Sequence, residues 1–592
     1  MNRLRRAMFG AAIRTILVVV SIPPVACAGA SAPAPTPGPS ARRMTWSPGI
    51  PGGIPSVTTV YTTIDASVYG SGVRDAATEI NKAIQAAGDT AARTGNRQVV
   101  YLPGGTYRVT GSIDLNRSNV VLRGAGPRLT RIKLDTGIET SAIRMGVFWP
   151  EYKPAVSVVG SVPAGATSLT VADASGFQEG DVIQVDQLDD TGYVRIGDGF
   201  YSKRGPRPDD VNGPSSPGGY RSVGQQVEIA SKNGNVLSLS GPTYIAFDAA
   251  FAPQLFKTAA ARPGETGTRY VGLEDLYVTG GNNNNIMAVN VAYCWIKNIE
   301  SDGNPATGPG MQGAHLMLSH SYRCEVRGSY FHHARSIDPG GGAYGISVGM
   351  QSSDNLIEDN ICHMLNKPLV MNASGGGNVV GYNYVDEAII ASNASWQESA
   401  IDGNHQSFSH HELFEGNWAS NIGSDTTHGN AGWLTFFRNY APGRNSSGVQ
   451  AGNVRAVGID GYSREHSIVG NVLLQPGLVV NGLPAVYDCN DNGSCMTAAA
   501  VYRVGANSMG GDYYTRDDGT AARLLYRHGN YDFVNNNVLW DAGTADHSLP
   551  NSLYLTAKPA FFGTLPWPWV DPAGATKTHT LPAKARFDAG LR

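Results

Sequence analysis

Imidazoles and carboxylates crowd into one part of this chain. The segments SNASWQESAIDGNHQSFSHHELFEG (392–416) and NIGSDTTHGNAGW (421–433) hold Glu398, Asp402, His405, His410, His411, Asp425 and His428. A neutral imidazole has its pKa near working pH and can take a proton as a general base. Carboxylates can form an acid and base pair. Singly, such residues also cap loops and bond to turns. Their density in two neighbouring polar excursions points to one shared site.

A positioning frame is legible around them. CEVRGSYF (324–331), NLIEDNIC (355–362), NVVGYNYV (378–385), HELFEGNW (411–418), WLTFFRNYA (433–441) and HSIVGNVLL (466–474) are short β-type runs, each broken by a polar turn. With Ser329, Asn360, Asn383, Asn417, Asn439 and Asn471 as the repeating position, the steps are 31, 23, 34, 22 and 32 residues (360−329, 383−360, 417−383, 439−417, 471−439). Steps of 22 and 23 suit one coil of a β-solenoid, and the longer ones suit a coil with a loop let out. A single coil cannot bury its own apolar face, so stacking makes the core. The recurring Asn is read as structural, its amide bonding along the stack. Glycine, 73 of 592 residues against ~7% on average, serves the tight corners.

The frame sets a register. Five residues before the strand starts Asn355, Asn378, His411, Trp433 and His466 lie Met350, Ala373, Gln406, His428 and Gly461. Within one residue of these positions are Gln351, Asn372, His405 and Asp460. Coils ~4.8 Å apart would place Asn372, His405, His428 and Asp460 in a polar ladder.

Charge and cysteine use set bounds. Lys plus Arg is 45 and Asp plus Glu is 48, a formal net charge of −3, with no basic excess to hold a nucleic-acid backbone. No internal stretch approaches the ~18 apolar residues of a membrane span. The N-terminus carries Arg3, Arg5 and Arg6, an apolar run through Ile16 to Val20 and small residues after it, the pattern of a secretory signal peptide cleaved after Ala28 or Ala30. The expected product is secreted or periplasmic; a lipid anchor on Cys27 is disfavoured by Pro24. Cys489 and Cys495, in the polar run DCNDNGSC, are placed to close a disulfide. Cys294, Cys324 and Cys362 lie in coil strands and read as buried apolar residues. No Cys/His spacing typical of zinc appears.

At the start of the fold, YGSGVRDAATEINKAIQAAGDTAARTG has apolar residues at helical spacing, with Asp75 as expected N-cap and Gly95 as stop. Such a helix covers the open first coil. It leads into VVYLPGGTYRVTGSIDL (99–115) and NVVLRGAG (119–126). Asp65, YGSGVRD, the helix and these runs resemble the N-terminal cap and first coils of the pectate-lyase-like superfamily over residues 62–134, and the coils extend the likeness to about residue 474. The resemblance implies a secreted right-handed parallel β-helix acting on polysaccharide. It carries over no catalytic residue: the family-28 hydrolase signatures and the WIDH run of the best-known pectate lyases are absent. The expected fold is therefore all-β, a right-handed single-stranded parallel β-helix with an N-terminal capping α-helix and a small inserted β lobe. The lobe is read from the alternating runs at 161–188 and 225–240, with Asn233-Gly234 as its hairpin turn. Its loop carries Tyr201, Lys203, Arg204 and Arg207. The expected layout is signal peptide 1–30, Pro-rich linker 31–55, cap and first coils 56–150, lobe 151–250, main β-helix 251–480, and C-terminal coils with an extended tail 481–592. The repeat fades after Gly477, and Trp567 and Trp569 are expected to pack on the coils.

Two classes of function follow. A polysaccharide lyase needs a base such as His405 or His428 to take the proton beside a uronic-acid carboxylate, which Asn372, His410 or Arg438 would hold. A glycoside hydrolase needs two carboxyl groups ~5–5.5 Å or ~6.5–9.5 Å apart, drawn from Glu398, Asp402, Asp425 and Asp460. Trp396 and Trp433 could stack on sugar rings in either. The other class is a non-catalytic carbohydrate-binding or adhesion β-helix, built on aromatic platforms such as Trp396, Trp418 and Trp433. No cofactor is firmly implied; calcium would assist a lyase by bridging to substrate. The expected partner is a polysaccharide.

Overall fold

The computed structural model describes residues 44–148, 155–195, 220–259, 266–306, 313–338, 342–489, 497–506 and 519–590. The expected signal peptide, most of the Pro-rich segment, the loop with Tyr201, Lys203, Arg204 and Arg207, and Cys495 lie outside these residues.

Short parallel strands dominate, wound as a right-handed β-helix with three faces per coil. One face stacks Tyr344–Gly349, Leu369–Asn372, Ile401–Gln406, Ile422–Ser424, Arg455–Asp460 and Ala500–Ala506 in parallel register. A second stacks Glu325–Arg327, Leu356–Glu358, Val379–Gly381, Leu413–Glu415, Thr435–Phe437, Ser467–Val469 and Tyr526–His528. The third runs from Tyr330–His332 through Ile361–Leu365 and Tyr384–Ala388 to Asn530–Asp532. Alternation along each strand sends Ile357, Val380, Phe414, Phe436 and Ile468 into one continuous apolar core.

Between the second and third faces the expected Asn stack is present. The backbone N–H of Asn383 donates to Asn417 Oδ1 at 3.0 Å, and its Nδ2 donates to the same oxygen at 3.0 Å and to Ile357 O at 2.9 Å. Asn360, Asn417, Asn439 and Asn471 repeat the pattern. The repeat does not end after Gly477. The chain leaves the stack, adds Val486–Cys489 and Ala500–Ala506 to the first face, and returns so that Asn530 takes the next rung, 59 residues on.

The helix Ala77–Thr94 lays Ala77, Ile80, Ile84, Ala87 and Ala91 on the first coils, and Gly95 ends it in the left-handed conformation at φ 73°. Asp75 is not its N-cap. Ala76 is, and Asp75 sits one residue earlier, where its carboxylate accepts from Ala77 N–H (3.2 Å) and Thr110 N–H (2.9 Å), tying the helix to the coil.

The inserted lobe is a six-stranded antiparallel sheet in the order Val156–Ser157, Gln254–Ala259, Val182–Gln187, Val223–Asn233, Val236–Leu239, Ser168–Thr170. Its hairpin turn is Gly234-Asn235, one residue later than expected, because Asn233 still pairs with Val236. The lobe has its own apolar core around Ile183, Val185, Phe247 and Leu255. It leans on the β-helix through Gln184 Nε2 to Gln351 Oε1 (2.7 Å) and Gln226 N–H to Ser353 Oγ (3.0 Å).

Candidate active site

The candidate residues gather on the face that starts each coil. Core residues Ile346, Leu369, Ile401, Ile422 and Val457 align along it, and the next position on each strand faces out: Ser347, Val370, Asp402, Gly423, Gly458 and, one coil further, Arg503. Gly423 is required by the close stacking there, since a Cβ would fall 1.8 Å from Gly458 O. One turn residue, Lys367, stands two positions before Leu369 and points along this row.

Asp402 pairs in register with Val370, but Asn372 pairs with Gln406, so the strand Ile401–Gln406 carries extra residues there. This bulge pushes His405 out of the ladder, as bulges beside functional sites do. Asn404 fixes it, donating from Nδ2 to Gly429 O (2.7 Å) and Asp425 O (3.2 Å).

The side chains converge. Lys367 Nζ lies 2.8 Å from Asp402 Oδ2, 3.0 Å from Asp425 Oδ2 and 3.4 Å from Glu398 Oε1. His405 Nδ1 lies 2.9 Å from Asp425 Oδ2, and its Nε2 lies 3.2 Å from the Tyr344 hydroxyl. The His428 ring stands edge-on to His405 at 4.8 Å between centroids. Asp402 Oδ1 accepts the Asp425 backbone N–H at 3.0 Å. Because the Asp425 carboxylate accepts from Nδ1–H, the lone pair of His405 is on Nε2, facing Tyr344.

Burial and mutual charge set the protonation states. Burial, with Asp425 beside it, pushes Asp402 well above the usual carboxylate range. Burial would also raise Asp425, but Lys367 and His405 hold it well below. Lys367 would be lowered by burial; Asp402, Glu398 and Asp425 hold it well above its ordinary value, so it stays charged. Burial raises Tyr344 to about 12, with Lys367 opposing. Further along the face, burial lowers Arg455, and burial together with Arg455 lowers Arg503 to about 9.

The expected residues are only partly gathered. Glu398, Asp402, His405, Asp425 and His428 meet in the cluster. The ladder itself is displaced: Gln406, not His405, stands in register between Asn372 and His428. Asn372 is buried on the same face and donates to Ser347 Oγ at 2.6 Å. Asp460 lies further along, 3.8 Å from Arg503. Trp396 is half-buried in the loop before Glu398, bridged to Gly452.

Three residues expected to bind substrate stand elsewhere. Arg438 projects from the second face, where its guanidinium donates to Pro550 O (2.8 Å), Val570 O (2.7 Å) and Leu549 O (3.1 Å) of the C-terminal tail. His410 is buried under the lobe, its Nε2 2.9 Å from Gly224 O and its Nδ1 3.1 Å from His411 Nδ1, and burial lowers it to about 4. Trp433 stacks on His411 at 5.2 Å and lines a separate pocket of about 400 Å³ with Trp46, Tyr244 and Glu465. Tyr344, Lys367, Arg455 and Arg503 were not anticipated. A signal existed: Tyr344, Lys367 and Arg455 each stand two residues before a paired core residue, Ile346, Leu369 and Val457.

Residues 63–151 match the family described as rhamnogalacturonase A/epimerase, pectate lyase-like. The matched segment spans the capping helix and the first coils, and the fold of the described residues is that of a right-handed parallel β-helix. No curated protein sequence matches the chain. Among solved structures, it is similar to the tailspike gp61 of Pseudomonas phage phi297 (12% identity, 79% of this chain and 84% of that one, TM-score 0.45). It is also similar to PfbA, a surface adhesin of Streptococcus pneumoniae (11%, 80% and 90%, TM-score 0.34), and to pectate lyase Pel9A (10%, 67% and 72%, TM-score 0.34). At these identities and scores the likenesses bear on neither reaction nor substrate.

Proposed function

We propose that the protein is an exported enzyme that cleaves a uronic-acid-containing polysaccharide by β-elimination. The observation that carries this reading is His405, held through Nδ1 by Asp425 with Nε2 against the Tyr344 hydroxyl. Nucleophile or base, its partner and an orienting third group form the arrangement that activates proton transfer. His405 Nε2 takes the proton from the carbon next to the substrate carboxylate. The C–H electron pair becomes the new double bond, the bond to the glycosidic oxygen breaks, and Tyr344 protonates that oxygen. Its raised pKa keeps the tyrosine protonated until then. The proton then passes from His405 to Tyr344 across their hydrogen bond, which restores the site. Arg455 and Arg503 are the cations on this face that would take the substrate carboxylate, displacing the bonds Arg455 donates to Asn453 O (3.0 Å) and Ser399 Oγ (3.2 Å) and the Asp460 carboxylate 3.8 Å from Arg503.

Hydrolysis is the weaker reading. Asp402 is fully buried, and Asp402 Oδ2 and Asp425 Oδ2 both turn onto Lys367 Nζ, at 2.8 and 3.0 Å. A hydrolytic pair must flank the scissile bond, ~5–5.5 Å or more apart. A non-catalytic carbohydrate-binding protein would not need the His405 relay. A panel of uronic-acid and neutral polysaccharides, read both as unsaturated-product absorbance and as reducing ends, tests all three. Elimination gives both signals on a uronic substrate; reducing ends alone indicate hydrolysis, and neither indicates a binding protein. Export extends the proposal: the N-terminal segment is removed near Gly29 or Ser31, and Cys489 bonds to Cys495. N-terminal sequencing and non-reducing peptide mass spectrometry check these two points.

A further inference from the structure

A second titratable cluster stands on the third face, apart from His405. Asp302 and His332 are paired neighbours on successive coils, both outward-facing and buried, while Ser301 and Phe331 face in. His333 follows in the left-handed conformation at φ 58°, which costs a non-glycine residue energy and turns its ring back beside His332. The two Nδ1 atoms lie 2.8 Å apart, and His332 Nδ1 lies 3.6 Å from Asp302 Oδ1.

The surrounding bonds fix the direction of each donor. His332 Nε2 faces Glu300 Oε1 at 3.4 Å; in the tautomer with its proton on Nε2, the 2.8 Å contact is His333 Nδ1–H donating to the His332 Nδ1 lone pair, and a bound ion would take the place of that proton. Tyr277 donates to Asp302 Oδ2 at 2.9 Å, and Asn304 N–H to Oδ1 at 2.8 Å. His315 Nε2 lies 2.7 Å from His333 O and braces the turn. An imidazole whose far nitrogen donates to a carboxylate, beside an oriented carboxylate, is the outer arrangement that metal ligands carry.

We propose that Asp302, His332 and His333 bind one divalent transition ion of the zinc class, which staples two successive coils. Two imidazole nitrogens with one carboxylate oxygen suit such an ion, whereas calcium and magnesium prefer oxygen donors. The nitrogens need to open only from 2.8 Å to about 3.3 Å, the span of two ~2.0–2.1 Å bonds in a tetrahedral site. The other grouping of this kind among the described residues, Asp402, His405 and Asp425, already holds the Lys367 ammonium between its carboxylates. The sequence gives no warning of the site, because the ligands come from two coils and the histidines are adjacent rather than spaced.

The test uses the untagged full chain, stripped with a chelator and titrated with Co²⁺ by visible absorption and with Zn²⁺ by calorimetry. The expected result is one ion per chain, a tetrahedral Co²⁺ spectrum and a higher melting temperature with Zn²⁺. Asp302→Asn, which keeps the side-chain shape, and His332→Ala and His333→Ala should each abolish the spectrum. Glu300→Gln should weaken binding ~10–100-fold, the usual effect of an outer partner, and His405→Gln should leave it unchanged. Circular dichroism identifies any variant that fails to fold, and the folded ligand variants with the wild-type titration decide the matter. Absence of stoichiometric binding to the wild type overturns the proposal, as does a spectrum that survives in a folded ligand variant or disappears with His405→Gln.

Discussion

The proposed Asp425–His405–Tyr344 relay makes separable demands on its members. His405→Ala should lower turnover about 100- to 10,000-fold, the usual contribution of a positioned acid or base. Tyr344→Phe removes only the hydroxyl and should lose turnover on a similar scale with little change in KM, which steady-state kinetics on the same substrate would resolve. Lys367 answers to stability first. Its ammonium sits among Asp402, Asp425 and Glu398, and removing one partner of a buried ionic group typically costs ~3–5 kcal/mol. Lys367→Met should therefore lower the urea midpoint sharply, even in assays where no substrate is present. The crowding of His and Asp in residues 392–433 was legible because it is local. Lys367 and Tyr344 were not, because each is a lone residue in another coil. Only the register of the first face brings them within reach of His405.

At the scale of elements, the Asn stack does what its spacing implied. Each amide fills a buried turn, satisfies a backbone N–H and a backbone carbonyl of the preceding coil, and bonds to the amide of the next. Asn417 accepts from Asn383 twice, donates to Val380 O at 2.9 Å, and donates to Asn439 Oδ1 at 3.0 Å. Asn417→Ala strands several of these partners in the interior, where each unsatisfied group costs ~1–3 kcal/mol. The expected loss is at least about 2 kcal/mol, read from denaturant unfolding; a loss below experimental error would show the stack to be incidental. The coils were legible from sequence because a turn residue that must repeat leaves a period. The longer excursions broke that period. Asn530 was missed since 59 residues separate it from Asn471, and the bulge at His405 was missed since extra residues in one strand leave no compositional trace.

For the whole molecule, the C-terminal tail decides how the second face is closed. The tail buries Leu553, Tyr554, Phe562, Trp569 and Val570 against Val379, Leu413 and Phe437. Trp569 Nε1 donates to Gly416 O at 2.6 Å, and Trp567 Nε1 to the Tyr382 hydroxyl at 2.9 Å. The expectation that both tryptophans pack rather than stack on sugar agrees with these contacts. Arg438, which the sequence made a substrate ligand, is instead a clamp on this tail. Nothing in a local run distinguishes a guanidinium that meets a ligand from one that meets three distant carbonyls.

Glu415 lies under the same tail and makes its docking sensitive to pH. Its carboxyl accepts from the Tyr382 hydroxyl at 3.0 Å and from Leu553 N–H at 2.8 Å. Burial raises it from 4.5 to about 7, with the hydrogen bonds and Arg438 opposing. A carboxyl raised on folding binds its proton more tightly in the folded state. Its contribution to stability is complete below pH ~4.5 and is lost as pH rises through about 7. Glu415→Gln keeps the shape, an acceptor for Leu553 and a donor toward Tyr382, and it cannot ionise. Relative to this variant, the wild type should lose stability between about pH 4.5 and about pH 7, the interval between the two pKa values. Paired urea titrations across that range provide the check. Parallel curves for wild type and variant would mean that Glu415 keeps an ordinary pKa and that the tail docks independently of its proton.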